Sequence, residues 1–283
     1  MAVTALAALS LMAAGNLPDR GSYERPVRRA IDWLVDHCSE DGYFQDDRDT
    51  ISRMHGQGYA VLALTQAIGM YGDDEAQRER LRSAIERGVD LIQRTQGDRG
   101  GWWYDPMKLA AHENSVTVCM IQALRAARDV GFKVDTGVVD KAVAYVRDCQ
   151  EPDTGRFRYA TNDEKTTWAL TAAALSTLNA LGDYGSPVWQ RGFEALQQSD
   201  PYSGGGGGEA FQDYGALYAA QAYWQFQDSR AFDRWWPRFV TDCAERQRPD
   251  GTFPEGMYGA VYGTAIVTLT LQVPLGYLPI FQR

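Results

Sequence analysis

The side chains in this sequence best suited to acid–base chemistry stand at the entrances of its most apolar segments. His55, the pair His112-Glu113, Asp163 and the pair Asp213-Tyr214 each precede or open such a segment, and Glu255, Tyr258 and Tyr262 do so near the end. An imidazole exchanges a proton near neutral pH, and a carboxyl serves as acid or base according to how its surroundings move its pKa. Glu113 followed by Ser115 also has the form of a helix N-cap. Asp213 admits the same reading, because a carboxylate there accepts orphan amide hydrogens and opposes the helix dipole. Capping would hold either pKa down, which suits a base better than an acid. The candidate catalytic groups are therefore Glu113, Asp213, Asp163 and His55. The candidate ligand contacts are Tyr59, His112, Trp168, Tyr214, Tyr218, Tyr258 and Tyr262, drawn from a chain with 15 Tyr, 8 Trp and 10 Phe.

The elements that must position these groups are written as a repeat. A Gly-x-aromatic turn recurs at Gly42-Tyr43-Phe44, Gly101-Trp102-Trp103, Gly155-Arg156-Phe157 and Gly251-Thr252-Phe253, at intervals of 59, 54 and 96 residues. The last interval is two units long, and the glycine run 204–208 with Phe211 fills the place of an irregular unit between them. Before each turn lies an amphipathic stretch with charge on one face: Val27 to Cys38, Arg78 to Gln96, Val138 to Gln150, Trp189 to Gln198 and Phe232 to Gln247. After each turn comes a stretch apolar on nearly all sides, as a buried helix must be: Gly58 to Met70, Ser115 to Ala127, Thr166 to Leu181, Tyr214 to Phe226 and Tyr262 to Val273. With Ala2 to Ala14 this makes six inner segments and five outer ones, and strand signals are almost absent. The expectation is an all-α protein, one α/α toroid over residues 1–283. Its chain starts one outer helix late, and the mouths of its inner helices gather the groups named above.

Composition narrows the partners. A net charge of -9 and a pI near 4.9 exclude the basic surface that nucleic acid or an anionic membrane needs. Cys38, Cys119, Cys149 and Cys243 are scattered without a C-x-x-C pair, so neither zinc nor a disulfide framework is indicated, and no metal or cofactor is expected. Ala2 to Ala14 is too short to span a bilayer, and with no cation ahead of it reads as a structural helix. The compartment stays open: cytoplasmic, or secreted if an upstream signal has been removed.

Gln96 with Gly101 and Trp103, Gln150 with Gly155 and Phe157, and Gln247 with Gly251 and Phe253 resemble the Gln and Gly-x-Trp turn of the squalene cyclase and protein prenyltransferase superfamily. The resemblance covers essentially the whole chain. It implies a deep apolar cavity between the inner helices, here walled by Trp168, Tyr218 and Trp224, that holds an isoprenoid or another lipid. The superfamily's cyclase acid, an Asp-x-Asp-Asp motif, is not matched by Asp163-Glu164-Lys165-Thr166 or by Asp46-Asp47-Arg48-Asp49. Its zinc ligands are not matched either, since Asp213-Tyr214-Gly215 has no cysteine nearby and no histidine follows His112. The resemblance thus leads to a lipid-binding toroid without the usual acid. Two alternatives stand beside it: a non-catalytic scaffold for protein interactions, and a carbohydrate-active α/α barrel in which Glu113 and Asp213 face each other across an aromatic cleft.

Overall fold

The structure is a computed structural model that describes residues 1–72, 74–203, 211–226, 229–254 and 258–282. Among the described residues are eleven α-helices in strict alternation. The inner ones are α1 (Ala2–Ala13), α3 (Arg53–Ala67), α5 (Asn114–Asp129), α7 (Trp168–Ala180), α9 (Gln212–Gln225) and α11 (Gly259–Leu271). The outer ones are α2 (Glu24–Asp36), α4 (Glu75–Arg94), α6 (Thr136–Asp148), α8 (Pro187–Gln198) and α10 (Ser229–Arg246). Each inner helix packs on the next, and α11 packs back on α1, so the inner layer is a closed ring. Small residues such as Ala172, Ala173, Ala219 and Ala220, all fully buried, allow the close approach that the α7–α9 contact needs. The expected all-α toroid is therefore observed, and no strand longer than an isolated bridge occurs among the described residues.

The inner helices run parallel. The backbone N–H of Ala2 donates to Ser52 Oγ at the start of α3 (3.2 Å). Halfway down, Gln122 of α5 donates to Gln221 of α9 (3.2 Å), with Ser176 of α7 beside both. Their N-termini consequently share one mouth of the ring.

The repeat turns join the layers. The buried aromatic is Phe44, Trp102, Phe157 or Phe253, and its backbone N–H donates to an inner-helix side chain: Gln57 Oε1, Thr117 Oγ1, Thr171 Oγ1 or Thr264 Oγ1, all at 2.9–3.1 Å. The left-handed glycine two residues earlier is Gly42, Gly100, Gly155 or Gly251. In the second repeat the turn is thus Gly100-Gly101-Trp102, one residue earlier than the spacing suggested. Gln96 and Gln150 each donate to their own turn glycine's carbonyl and to the first turn of the following outer helix, at Val138 and Val188. The first repeat has Cys38 in the glutamine's place, and Gln57 supplies the amide from the inner layer instead, donating to Gly42 and Gly88.

The bore is filled. Below the mouth, Leu6, Leu62, Leu217 and Leu269 meet the Gln122–Gln221 pair. From the opposite end, Ile280 and Phe281 of the short 3-10 turn Pro279–Phe281 close the ring, leaving a void of about 10 Å³. That is space for roughly one water molecule. No helix among the described residues is long and apolar enough to cross a membrane.

Candidate functional site

At the mouth the inner helices present side chains in layers four residues apart, the helical repeat on one face. His55, Ser115, Tyr214 and Tyr258 form the upper layer, and Tyr59, Cys119, Tyr218 and Tyr262 the one beneath. His55, Ser115, Tyr258 and Tyr262 are partly exposed, whereas Tyr59, Cys119, Tyr214 and Tyr218 are buried. The Tyr59 and Tyr218 hydroxyls meet at 3.3 Å across the bore.

Glu113 is the N-cap of α5, as its sequence context implied. Its carboxylate accepts from Ser115 N at 2.9 Å and Val116 N at 2.8 Å, and Ser115 Oγ also donates to it at 2.7 Å. The expected fall in its pKa does not follow. The side chain is fully buried, and desolvation outweighs the capping hydrogen bonds and raises its pKa to about 7. On the mouth side of Ser115 stands His55, whose Nε2 lies 3.0 Å from Ser115 Oγ. Desolvation lowers the imidazole pKa to about 4, so the ring is neutral. Imidazole, hydroxyl and carboxyl form one hydrogen-bonded chain from the open mouth to the buried cap.

Two aromatic residues that the sequence reading passed over complete the rim. Tyr104 lies with its ring centroid 5.7 Å from that of His55, and its hydroxyl is 2.6 Å from the Tyr159 hydroxyl. Both stand two residues after a buried turn aromatic, Trp102 and Phe157, so equivalent positions in successive repeats were the available signal. Asp46 and Glu255 occupy that position in the other repeats. Asp46 pairs with Arg48 and His37, and Glu255 lies outside the described residues. Arg53 sits over the Tyr104 ring and is paired with Asp105.

The other sequence candidates are placed elsewhere. Asp213 is not an N-cap, which is Phe211 in a left-handed conformation. Both Asp213 oxygens accept from Arg246 of α10, at 2.7 and 3.1 Å, and the residue is 2% exposed, so its carboxylate is committed to the outer layer. Asp163 closes a loop turn, accepting from Lys165 N. His112 packs edge-on against Tyr145 of α6 and bonds the Leu109 carbonyl, behind the mouth. Trp168 does not wall the bore: its indole N–H donates to Leu196 O of α8, and its ring fills the space left by Gly215 between α7 and α9. Trp224 likewise turns outward, packing edge-on against Phe232 of α10. A hollow of about 440 Å³ between α4 and the turn after α2, at Glu40 and Asp41, is walled by charged side chains alone and lies on the outer layer.

No family model matches the chain, and no curated protein matches it in sequence. Solved structures match it in shape. One is a family 76 glycoside hydrolase from a bovine Bacteroides thetaiotaomicron strain (TM-score 0.65, 10% identity, 96% of this chain and 68% of that one). A second is an inactive double Asp-to-Ala variant of a family 76 α-1,6-mannanase from Salegentibacter sp. HEL1_6, in complex with α-1,6-mannotetrose (0.67, 10%, 96% and 88%). A third is a D-mannose isomerase (0.64, 11%, 95% and 86%). What they share with this chain is the fold. The resemblance to squalene cyclases and prenyltransferases is accordingly corrected: the neighbours are carbohydrate-active α/α toroids, and the glutamine-bearing turn marks the architecture, not the superfamily. The lipid-binding reading falls with it, because the bore that was to hold an isoprenoid has space for one water.

Proposed function

We propose that the inner-helix mouth binds a carbohydrate and moves a proton on it, with His55 as the group that touches the sugar and Glu113 as the group that finally holds the proton. The observation that carries this reading is the His55–Ser115–Glu113 chain opening among Tyr104, Tyr159, Tyr258 and Tyr262. Aromatic faces suit the apolar faces of sugar rings. The mannotetrose bound by one structural neighbour and the mannose isomerase activity of another support a sugar as the ligand class.

The chain of bonds explains how a desolvated histidine can act as a base. When His55 Nδ1 takes a proton, Nε2–H passes its own to Ser115 Oγ, and the serine passes its hydroxyl proton to Glu113 Oε2. The ring stays neutral, and the proton's final affinity is that of the carboxyl, about 7. A base of that strength is matched to neutral pH. Proton transfer at a sugar carbon fits better than glycoside cleavage. Cleavage needs a second free carboxyl facing the first, and the candidate for that role, Asp213, is held by Arg246.

Proton NMR in D2O tests the proposal. Saturation transfer from protein to D-mannose or α-1,6-mannotetrose reports binding, and loss of the sugar C2–H signal reports proton exchange. Exchange is expected to rise with pH around 7 and to fall by about 100-fold or more in His55→Asn. Neither saturation transfer nor exchange with any of these sugars would overturn the reading.

A further inference from the structure

Three tyrosine hydroxyls lie at the floor of the mouth, and their hydrogen bonding is uneven. Tyr59 and Tyr218 bond each other at 3.3 Å. The Tyr214 ring packs tilted at 58° one turn above Tyr218 with centroids 4.8 Å apart, and its hydroxyl approaches Tyr218 without making a well-formed hydrogen bond, although the residue is only 9% exposed. A buried hydroxyl without a bond costs about 1–3 kcal/mol, so an orphan in a native fold calls for a partner of its own. Three other tyrosine hydroxyls share this condition, those of Tyr71, Tyr145 and Tyr202. None belongs to an inner helix, whereas Tyr214 opens α9 within electrostatic reach of Glu113, Cys119 and Tyr262.

We infer that the Tyr214 hydroxyl donates a hydrogen bond to an oxygen of an uncharged sugar seated at this mouth, an inference that rests on the carbohydrate reading above. Burial keeps the phenol protonated far above its ordinary range, so it remains a donor at every working pH. The ligand is uncharged because, among the described residues, no free cation stands at the floor to compensate an anion. The named floor groups are tyrosines, a thiol, a hydroxyl, a neutral imidazole and a carboxyl, and the nearby guanidinium, Arg53, is paired with Asp105. An ionised Glu113 would repel an anion further.

The test uses Tyr214→Phe and Tyr218→Phe with calorimetric titration of D-mannose, α-1,6-mannotetrose and mannose 6-phosphate, alongside thermal melts. Tyr214→Phe should leave the melting temperature unchanged or raise it, since it removes an orphaned polar group. It should weaken the uncharged sugars by about fivefold to twentyfold. Tyr218→Phe should lower the melting temperature by stripping Tyr59 of its partner. Mannose 6-phosphate should bind wild type at least about tenfold more weakly than mannose. The inference is overturned if Tyr214→Phe binds the sugars as wild type does, if it melts as low as Tyr218→Phe, or if the phosphate binds as tightly as mannose. Wild-type protein that takes up none of the three compounds would instead overturn the carbohydrate reading itself.

Discussion

Glu113 and His55 carry pKa values that folding moves past each other. Unfolded, the carboxyl titrates near 4.5 and the imidazole near 6.5; folded, desolvation takes them to about 7 and about 4. Between these limits the pair holds one proton in either state, and folding shifts it from the ring to the carboxyl. For Glu113 the folded pKa is raised, so its contribution is favourable at low pH and is lost as pH rises from about 4.5 to 7. For His55 the folded pKa is lowered, so its contribution is present above 6.5 and is lost as pH falls toward 4. The two slopes oppose each other, and wild-type stability should be nearly flat from pH 4.5 to 6.5. Single substitutions expose them. His55→Asn should lose stability as pH rises through this window, and Glu113→Gln should gain it, each by up to about 3 kcal/mol. Urea denaturation at half-unit pH steps reads both. Equal, flat profiles in the two variants would show that the groups are not desolvated as the geometry requires.

At the scale of elements, the turns at Gly42, Gly100 and Gly155 press a backbone against the next outer helix, at Arg87, Lys141 and Arg191, and glycine is needed there for two separate reasons. A Cβ on Gly100 would lie 2.2 Å from the Lys141 carbonyl oxygen of α6, and the residue also has φ +92°. Gly251 has φ +84°, but among the described residues no atom lies within 4 Å of its Cβ position. Gly251→Ala should therefore cost only the left-handed penalty, about 1 kcal/mol, while Gly100→Ala adds overpacking and should cost at least about 2 kcal/mol more. The midpoint of urea unfolding orders the two, and equal losses would mean that the α6 contact carries no weight. The alternation of layers was legible in the sequence because outer helices are amphipathic and inner ones are not. That same uniform apolarity hid which way Trp168 points, since a helix buried on every side has no face to read. The doublets Gly100-Gly101 and Trp102-Trp103 hid the register of one turn, which only the backbone angle decides. Asp213 looked like a cap because its partner, Arg246, lies 33 residues away on another helix. The glutamine turn suggested a cyclase because donating a side-chain amide to the next outer helix is a solution open to any stack of helical hairpins. Ser115, by contrast, was in plain view beside Glu113, but its bond to His55 spans 60 residues.

The inner ring has an open end at the helix N-termini and a sealed end opposite it. A ring of six parallel helices encloses a bore, and whether it becomes a pocket or a core depends on what enters from the far side. Here Phe281 and Ile280 enter, anchored where Ile280 N donates to Gln66 and Ile280 O accepts from Gln225, both at 3.2 Å. The mouth is thereby a shallow site on a solid base. A rigid base holds the His55–Ser115–Glu113 geometry, where a lipid tunnel would leave it unsupported. Phe281→Ala tests this division of labour. The ring is 3% exposed against Leu6, Leu62 and Leu269, so its removal should cost about 3–5 kcal/mol. The space it leaves is apolar, and such cavities stay dry and accept small apolar molecules. Benzene should therefore raise the melting temperature of the variant and not that of wild type. Sugar binding at the opposite mouth should be unchanged in the folded variant at low temperature. A loss of sugar binding as large as that expected for Tyr214→Phe would mean that base and mouth are one cooperative unit.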